Sequence, residues 1–357
     1  MLHSGEIIKD GSTMNKTARS AILQEQRTIS PETADSESNW QLELANACRD
    51  PDKLLARLGL IGKVSPFRTA DFPFLVPESF IRRMKIGDPN DPLLKQVLPV
   101  EDENVDVPGF LSDPVADLNS SPVSGMVHKY VNRVLLITSG SCAVNCRYCF
   151  RRHFPYSEAP RSLESWEPVF EEIWKRPEVD EVILSGGDPL TLNGRRLGVM
   201  IEKLAVIPHL QRIRIHSRLP IVLPIRVTEG LLKSLGQSRL QPIFVVHANH
   251  GNEIVEDCAE ALRKLVQAGI PVLNQAVLLR GVNDSVEAQV DLCTRLVNVG
   301  AMPYYLNQLD RVRGAAHFEV SVERGREIMA GLRKKLSGYA VPRYVVDVPG
   351  CEGKTEL

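Results

Sequence analysis

Along the chain, the pattern of apolar and polar positions changes three times. Residues 1–38 are polar without a sustained period and read as a flexible leader. From Trp40 onward, apolar residues recur at helical spacing in the short runs "WQLELANACRD", "PDKLLARLGL", "PESFIRRMKIG" and "DPLLKQVLP", each broken by Pro, Gly or Asp. These runs predict a small helical domain, followed by the Pro-, Gly- and Ser-rich connector "VDVPGFLSDPVADLNSSPVSGMVHKY"; domain and connector together fill 39–125. Beyond Tyr130, short β-branched runs alternate with amphipathic segments. Strands are predicted at 133–140, 181–187, 212–218, 242–250, 272–279 and 302–310, with helices between them. In "SLESWEPVFEEIWKRP", Pro168 is tolerated only in a first turn, which favours Ser165 over Ser162 as the N-cap. "NEIVEDCAEALRKLVQAG" is a second clear helix, ending on a C-terminal Gly.

Six β/α units in series predict an α/β fold with a parallel sheet curled toward a TIM-type barrel over 126–345, and a C-terminal segment over 346–357. Six units are fewer than eight, so the expected (β/α)6 barrel is partial and open on one side. Functional residues in such folds gather at the C-terminal ends of the strands. The only cysteine cluster, the turn "SGGDPL", His216, His247, Gln275 and Asp310 all fall at or just beyond such ends.

Composition narrows the function classes. The 357 residues carry 43 basic and 44 acidic side chains, a net charge of −1, which gives no electrostatic reason to expect nucleic acid or acidic lipid as partner. No apolar run approaches the roughly 20 residues of a membrane span, and the start lacks the layout of a secretory signal, so the cytoplasm is the expected compartment. Seven cysteines, an odd number with one cluster, suit metal or cluster ligation in a reducing compartment better than disulfides.

That cluster is "SGSCAVNCRYCFRRHFPY", in which Cys142, Cys146 and Cys149 form a C-x3-C-x2-C array. A structural zinc site normally closes with four protein ligands, and His153 is the nearest candidate for the fourth. A [4Fe-4S] cluster held through three irons has a use for the missing ligand, because its fourth iron stays open to a substrate or cofactor.

The array, with Tyr148 before its last cysteine, resembles the signature of radical S-adenosylmethionine enzymes. "SGGDPL", "RIHSRLPIVLPIR", "VLNQAVLLRGVND", "MPYYLNQLDRVRGAAHF" and "YVVDVPGCEGKT" narrow the resemblance to lysine 2,3-aminomutases. The front part, "FLVPESFIRRMKIGDPNDPLLKQVLP", is similar to their shorter bacterial relatives, the elongation factor P β-lysylation enzymes (EpmB). The resemblance covers roughly residues 40–357.

It implies an isomerase that converts L-lysine to β-lysine by a radical 1,2-amino shift, using a [4Fe-4S] cluster, S-adenosylmethionine, pyridoxal 5′-phosphate and a reducing electron donor. Carried over residue by residue, it makes Cys142, Cys146 and Cys149 the cluster ligands. Ser185, Gly186, Gly187 and Asp188 would flank S-adenosylmethionine and offer it backbone N–H groups, and His247 and Gln275 would contact it. Lys354 would bind pyridoxal phosphate covalently, with Lys129, Tyr130 and Arg133 at the phosphate. Arg151 would clamp the substrate carboxylate, and Asp310 and Asp347 its ε-ammonium. Ser285 stands where longer relatives have a zinc cysteine, so no zinc is expected. A homo-oligomer stays open. Two other readings compete: the same chemistry on another amino acid, and a non-catalytic iron–sulfur electron carrier, which would have no use for "SGGDPL", Arg151 and Lys354 together.

Overall fold

The computed structural model describes residues 39–67 and 72–357; the leader expected at 1–38 lies outside them. Nine strands form one sheet in sequence order: β1 (Met126–Tyr130), β2 (Arg133–Ser139), β3 (Glu181–Gly186), β4 (Arg212–Ser217), β5 (Gln241–Val246), β6 (Val272–Val277), β7 (Met302–Asn307), β8 (Arg343–Val346) and β9 (Thr355–Glu356). β2 to β8 run parallel. One main helix fills each crossover: α1 (Glu167–Trp174), α2 (Gly194–Val206), α3 (Glu229–Gly236), α4 (Glu256–Gln267), α5 (Val286–Asn298) and α6 (Val322–Lys335). The six β/α units are those expected, and the sheet is open, with β1 and β9 at its edges.

The edges correct the expectation of a purely parallel sheet. β1, placed in the connector by the sequence pattern, returns antiparallel onto β2 because only Val131 and Asn132 separate the paired Tyr130 and Arg133. So short a link cannot make a parallel crossover. At the other edge, β9 pairs antiparallel with β8 in the register Val346↔Thr355, which ties the C-terminal segment into the sheet.

The strand sequences explain their placement. β3 is buried on both faces, as a central parallel strand requires. β4 alternates: Ile213, Ile215 and Ser217 are buried, while Arg214 and His216 line the central cavity. Burying each such Val, Leu or Ile contributes about 1.5–3 kcal/mol. Strands β5 and β7 stop at Val246 and Asn307, short of the expected 250 and 310, since the chain leaves the ladder where it turns to build the site.

Helix starts differ in two places. The helix expected from Asn252 begins at Glu256, after a 3₁₀ turn over Gly251–Glu253. Neither Ser162 nor Ser165 caps α1; their side chains bond each other's backbone, and a 3₁₀ turn from Glu164 to Trp166 leads into a helix with Pro168 in its first turn. Ser285 caps α5 by accepting from the Ala288 amide at 3.1 Å.

The helical region before the barrel does not keep a core of its own. Trp40, Leu54, Phe80 and Leu94 belong to the same apolar cluster as the barrel strands. Ser79 donates to the Val222 carbonyl at 2.7 Å, and Arg83 pairs with Asp257 at 2.7 Å. Among the described residues, no helix is long and apolar enough to cross a membrane.

Candidate active site

A cavity of about 680 Å³ opens at the C-terminal ends of the parallel strands. Every site residue implied by the family resemblance lines it: the three cysteines, the four residues of the glycine turn, His247, Gln275, Arg151, Lys129, Tyr130, Arg133, Asp310, Asp347 and Lys354. They come from nearly every strand end, brought together by the curl of the sheet.

The cysteine loop follows β2. Tyr148 pins its back by packing with Phe110, Leu309 and Phe318 in a separate small apolar cluster, so the thiols face the cavity. Burial pushes the Cys142 thiol well up and Cys149 to about 11, and the neighbouring thiols add to both rises. Ionising Cys142 and Cys149 here is costly without a cationic centre beside them, which matches the donor chemistry of an iron–sulfur cluster. Among the described residues, no three His, Cys, Asp or Glu side chains form a group able to hold a single metal ion. His153, the nearest candidate for a fourth zinc ligand, is exposed and lies 3.2 Å from the Arg313 carbonyl, away from the cavity.

The glycine turn is stapled to this loop. Gly187 N–H donates to the Ser139 carbonyl at 2.7 Å and Asp188 N–H to the Ser141 carbonyl at 2.8 Å. This corrects one expectation: those two N–H groups hold the cysteine loop and are not offered to a cofactor. The close approach requires glycine. A Cβ on Gly187 would sit 2.4 Å from the Ser141 oxygen, and one on Gly186, where φ is 120°, would sit 2.6 Å from the Ser139 oxygen. Gly187→Ala is therefore expected to destabilise the chain by about 1–3 kcal/mol and to lower the iron bound on anaerobic reconstitution. Gly236→Ala, where a Cβ meets nothing within 4 Å, serves as the control. Equal iron content in the two variants would contradict the staple.

Asp188 is buried and braces the turn against β4: its carboxylate accepts from Ser217 Oγ at 2.8 Å, Arg218 N at 2.7 Å and Leu190 N at 3.0 Å. Burial still outweighs these bonds and lifts it to about 6. Beneath the cysteines lies a network that the sequence pattern did not reveal. Arg218 donates to Cys146 Sγ, to Gln96 Oε1 (both 2.7 Å) and to Glu253 Oε2 at 3.0 Å. Tyr148 Oη lies 3.2 Å from His247 Nε2. Burial, with Arg218 nearby, lowers His247 to about 3, so its ring is neutral.

Lys354 owes its place to the β8–β9 register. Val346 faces Thr355, so Asp347 and Lys354 meet across the hairpin, with Nζ to Oδ2 at 3.3 Å. Asp310 lies nearby; burial lifts it to about 7 against the pull of Lys354, with Asp347 and Asp117 adding to the rise. Asp117, missed in the sequence, is buried in the connector and pairs with Lys129 at 2.6 Å and Arg151 at 2.8 Å. Arg133 lies over the Tyr130 ring at 4.0 Å. His216 also went unassigned; its Nε2 is buried without a partner.

Comparison with known proteins identifies the family. The Radical SAM superfamily pattern matches residues 136–293. The chain is 47% identical over 326 residues to the L-lysine 2,3-aminomutase of Escherichia coli (strain K12), covering 90% of this chain and 95% of that protein. It is 43% identical over 322 residues to the enzyme of the same name from Haemophilus influenzae, covering 89% and 95%. With that of Clostridium subterminale the identity is 37% over 330 residues, covering 90% of this chain and 78% of the relative. The chain belongs to the L-lysine 2,3-aminomutase family of the radical SAM superfamily.

Proposed function

We infer that this chain is an isomerase that converts L-lysine to β-lysine by moving the α-amino group to the neighbouring carbon. The observation that carries the reading is the lining of a single cavity by the cysteine triad, Lys354, Arg151 and the acid pair Asp310 and Asp347. When bound, the reduced cluster with S-adenosylmethionine supplies the initiating radical and pyridoxal phosphate the ring that carries the migrating nitrogen.

The residues divide the remaining work. Cys142, Cys146 and Cys149 hold the cluster, and the Ser185–Asp188 turn, His247 and Gln275 shape the S-adenosylmethionine side. Lys354 binds pyridoxal covalently, with Tyr130 and Arg133 at the phosphate beside Lys129. Arg151 takes the substrate carboxylate, and its planar guanidinium suits a two-point grip. Asp310 and Asp347 take the ε-ammonium; two half-buried acids lining one cavity are costly to ionise without a cation beside them. A reducing electron donor completes the system. The helical front part, "FLVPESFIRRMKIGDPNDPLLKQVLP", supports a finer proposal, that the β-lysine serves modification of elongation factor P.

The acid pair gives a pH prediction with a definite sign. Asp310, lifted to about 7, holds its proton more tightly folded than unfolded. Its contribution to stability is thus fully present below the ordinary carboxylate pKa and lost as pH rises through 7. Substrate binding runs the other way, because only the ionised acid attracts an ammonium, and lysine keeps its ε-charge throughout this window. The KM for L-lysine should rise by up to about tenfold per pH unit as pH falls below 7, and Asp310→Asn should flatten that profile. L-norleucine, which lacks the ammonium, should not be turned over. Steady-state kinetics between pH 6 and 8.5, roughly spanning the titration, checks both; turnover of norleucine as fast as lysine would overturn the substrate assignment.

A further inference from the structure

Asp117 sits in the connector, away from every motif that marked the site, yet both of its oxygens are committed to cavity cations. Oδ1 lies 2.6 Å from Lys129 Nζ, and Oδ2 accepts from Arg151 Nε at 2.8 Å. The carboxylate is 2% exposed and Arg151 8%. The loop that carries it is itself fixed. Asp113 accepts from the Asp117 and Leu118 amides, Lys129 also donates to the Val115 carbonyl at 2.5 Å, and Ala116 holds a left-handed φ of 54° that L residues rarely adopt.

The geometry at Arg151 is directional. Asp117 grips the guanidinium from the side, through Nε, and Ser185 Oγ receives Nη1 at 3.1 Å. A guanidinium held at Nε cannot swing, so its terminal edge keeps one orientation in the cavity it lines. One carboxylate against two cations also leaves a positive charge unmatched, which an arriving carboxylate would balance.

We propose that Asp117 is the positioning residue of the substrate-carboxylate clamp: it fixes Arg151 side-on so that the guanidinium's terminal edge meets the α-carboxylate of lysine. The inference rests on the reading of Arg151 given above. Asp117 acts through Arg151 and does not touch the reacting atoms, so its loss should weaken ground-state binding far more than it slows turnover.

The test combines steady-state kinetics with equilibrium dialysis of radiolabelled L-lysine on enzyme loaded with cluster and pyridoxal phosphate but no S-adenosylmethionine, which reads binding without turnover. For Asp117→Asn, the KM and the dissociation constant should each rise by about 10- to 100-fold, with kcat within about threefold of wild type. Asp117→Glu should recover part of the loss. Asp117→Asn combined with Lys129→Met removes one anion and one cation, so it leaves no lysine without its ion pair; read against Lys129→Met alone, which carries any loss of the phosphate contact, it is the test if the single variant folds poorly. Its lysine binding should be weaker than that of Lys129→Met alone. Binding by the double variant equal to that of Lys129→Met alone would mean the loss in Asp117→Asn came from stranded Lys129, and would overturn the proposal. A fall in kcat with unchanged binding would overturn it too. If wild type binds lysine and Asp117→Asn binds it equally well, this inference alone fails; if wild type binds no lysine, the reading of the site fails and takes this inference with it.

Discussion

Replacing Lys354 by alanine should remove the absorbance of lysine-bound pyridoxal and reduce β-lysine formation at least about a thousandfold, a small part of the rate enhancements enzymes achieve. Iron and sulfide content should stay at the wild-type level, because Lys354 enters the cavity from the β8–β9 hairpin while the cysteines belong to the loop after β2. The effect should be chemical and not structural: Lys354 is partly exposed, and its one ion pair, to Asp347, is long at 3.3 Å. A pair of that kind contributes little to stability. Ultraviolet–visible spectra of the reconstituted variant, set beside its unfolding curve, separate the two. The same variant distinguishes an enzyme from an iron–sulfur electron carrier, for which this residue should be indifferent.

Arg218→Met should have the largest effect on stability. The guanidinium is buried and carries three bonds at once, to a cluster cysteine, to Gln96 and to Glu253. Removing it strands Glu253, which is 0% exposed. Breaking such a pair from one side costs about 3–5 kcal/mol. Glu253 keeps its bonds from Asn249 N, His250 N and Gln96 Nε2, so the loss should fall toward the lower end of that range. Adding Glu253→Gln to Arg218→Met removes the stranded charge and should restore part of the stability. Anaerobic denaturant unfolding of the two variants checks this; equal stabilities would show that the buried charge was not the cause.

Much of this molecule was legible in its sequence, for reasons that can be named. The strands β2 to β7 are β-branched runs of the right length between amphipathic helices, and the period of each segment fixes its type. The cysteine spacing and the glycine turn are local constraints, one set by how three thiols reach a cluster and the other by backbones that approach too closely for a Cβ, so both survive as short motifs. Lys354 and Asp347 were identified only through resemblance; what sets them face to face is the register of β8 and β9, and β9 is two residues long. Strand β1 was hidden by the Pro- and Ser-rich texture before it.

The network residues were hidden for a different reason. Asp117, Gln96 and Glu253 are single polar residues that no site motif marks, and their meaning comes from contacts as far as 157 positions away. No period or spacing encodes such pairings. A rule could have pointed to them only after folding, since a buried charge demands a partner. Conversely, the expected role of the Gly187 and Asp188 amides as cofactor donors fails because the fold had already spent them on the carbonyls of Ser139 and Ser141.

The central claim is that one cavity turns L-lysine into β-lysine. Its most direct test is an anaerobic incubation of the reconstituted protein with dithionite, S-adenosylmethionine, pyridoxal phosphate and L-lysine, with the products resolved by chiral mass spectrometry. β-Lysine should form only when all components are present, and its handedness reports whether the product suits elongation factor P modification or free β-lysine metabolism. Cleavage of S-adenosylmethionine with no β-lysine would contradict the account: the radical machinery would stand, and the assignment of Arg151, Asp310 and Asp347 to lysine would fall.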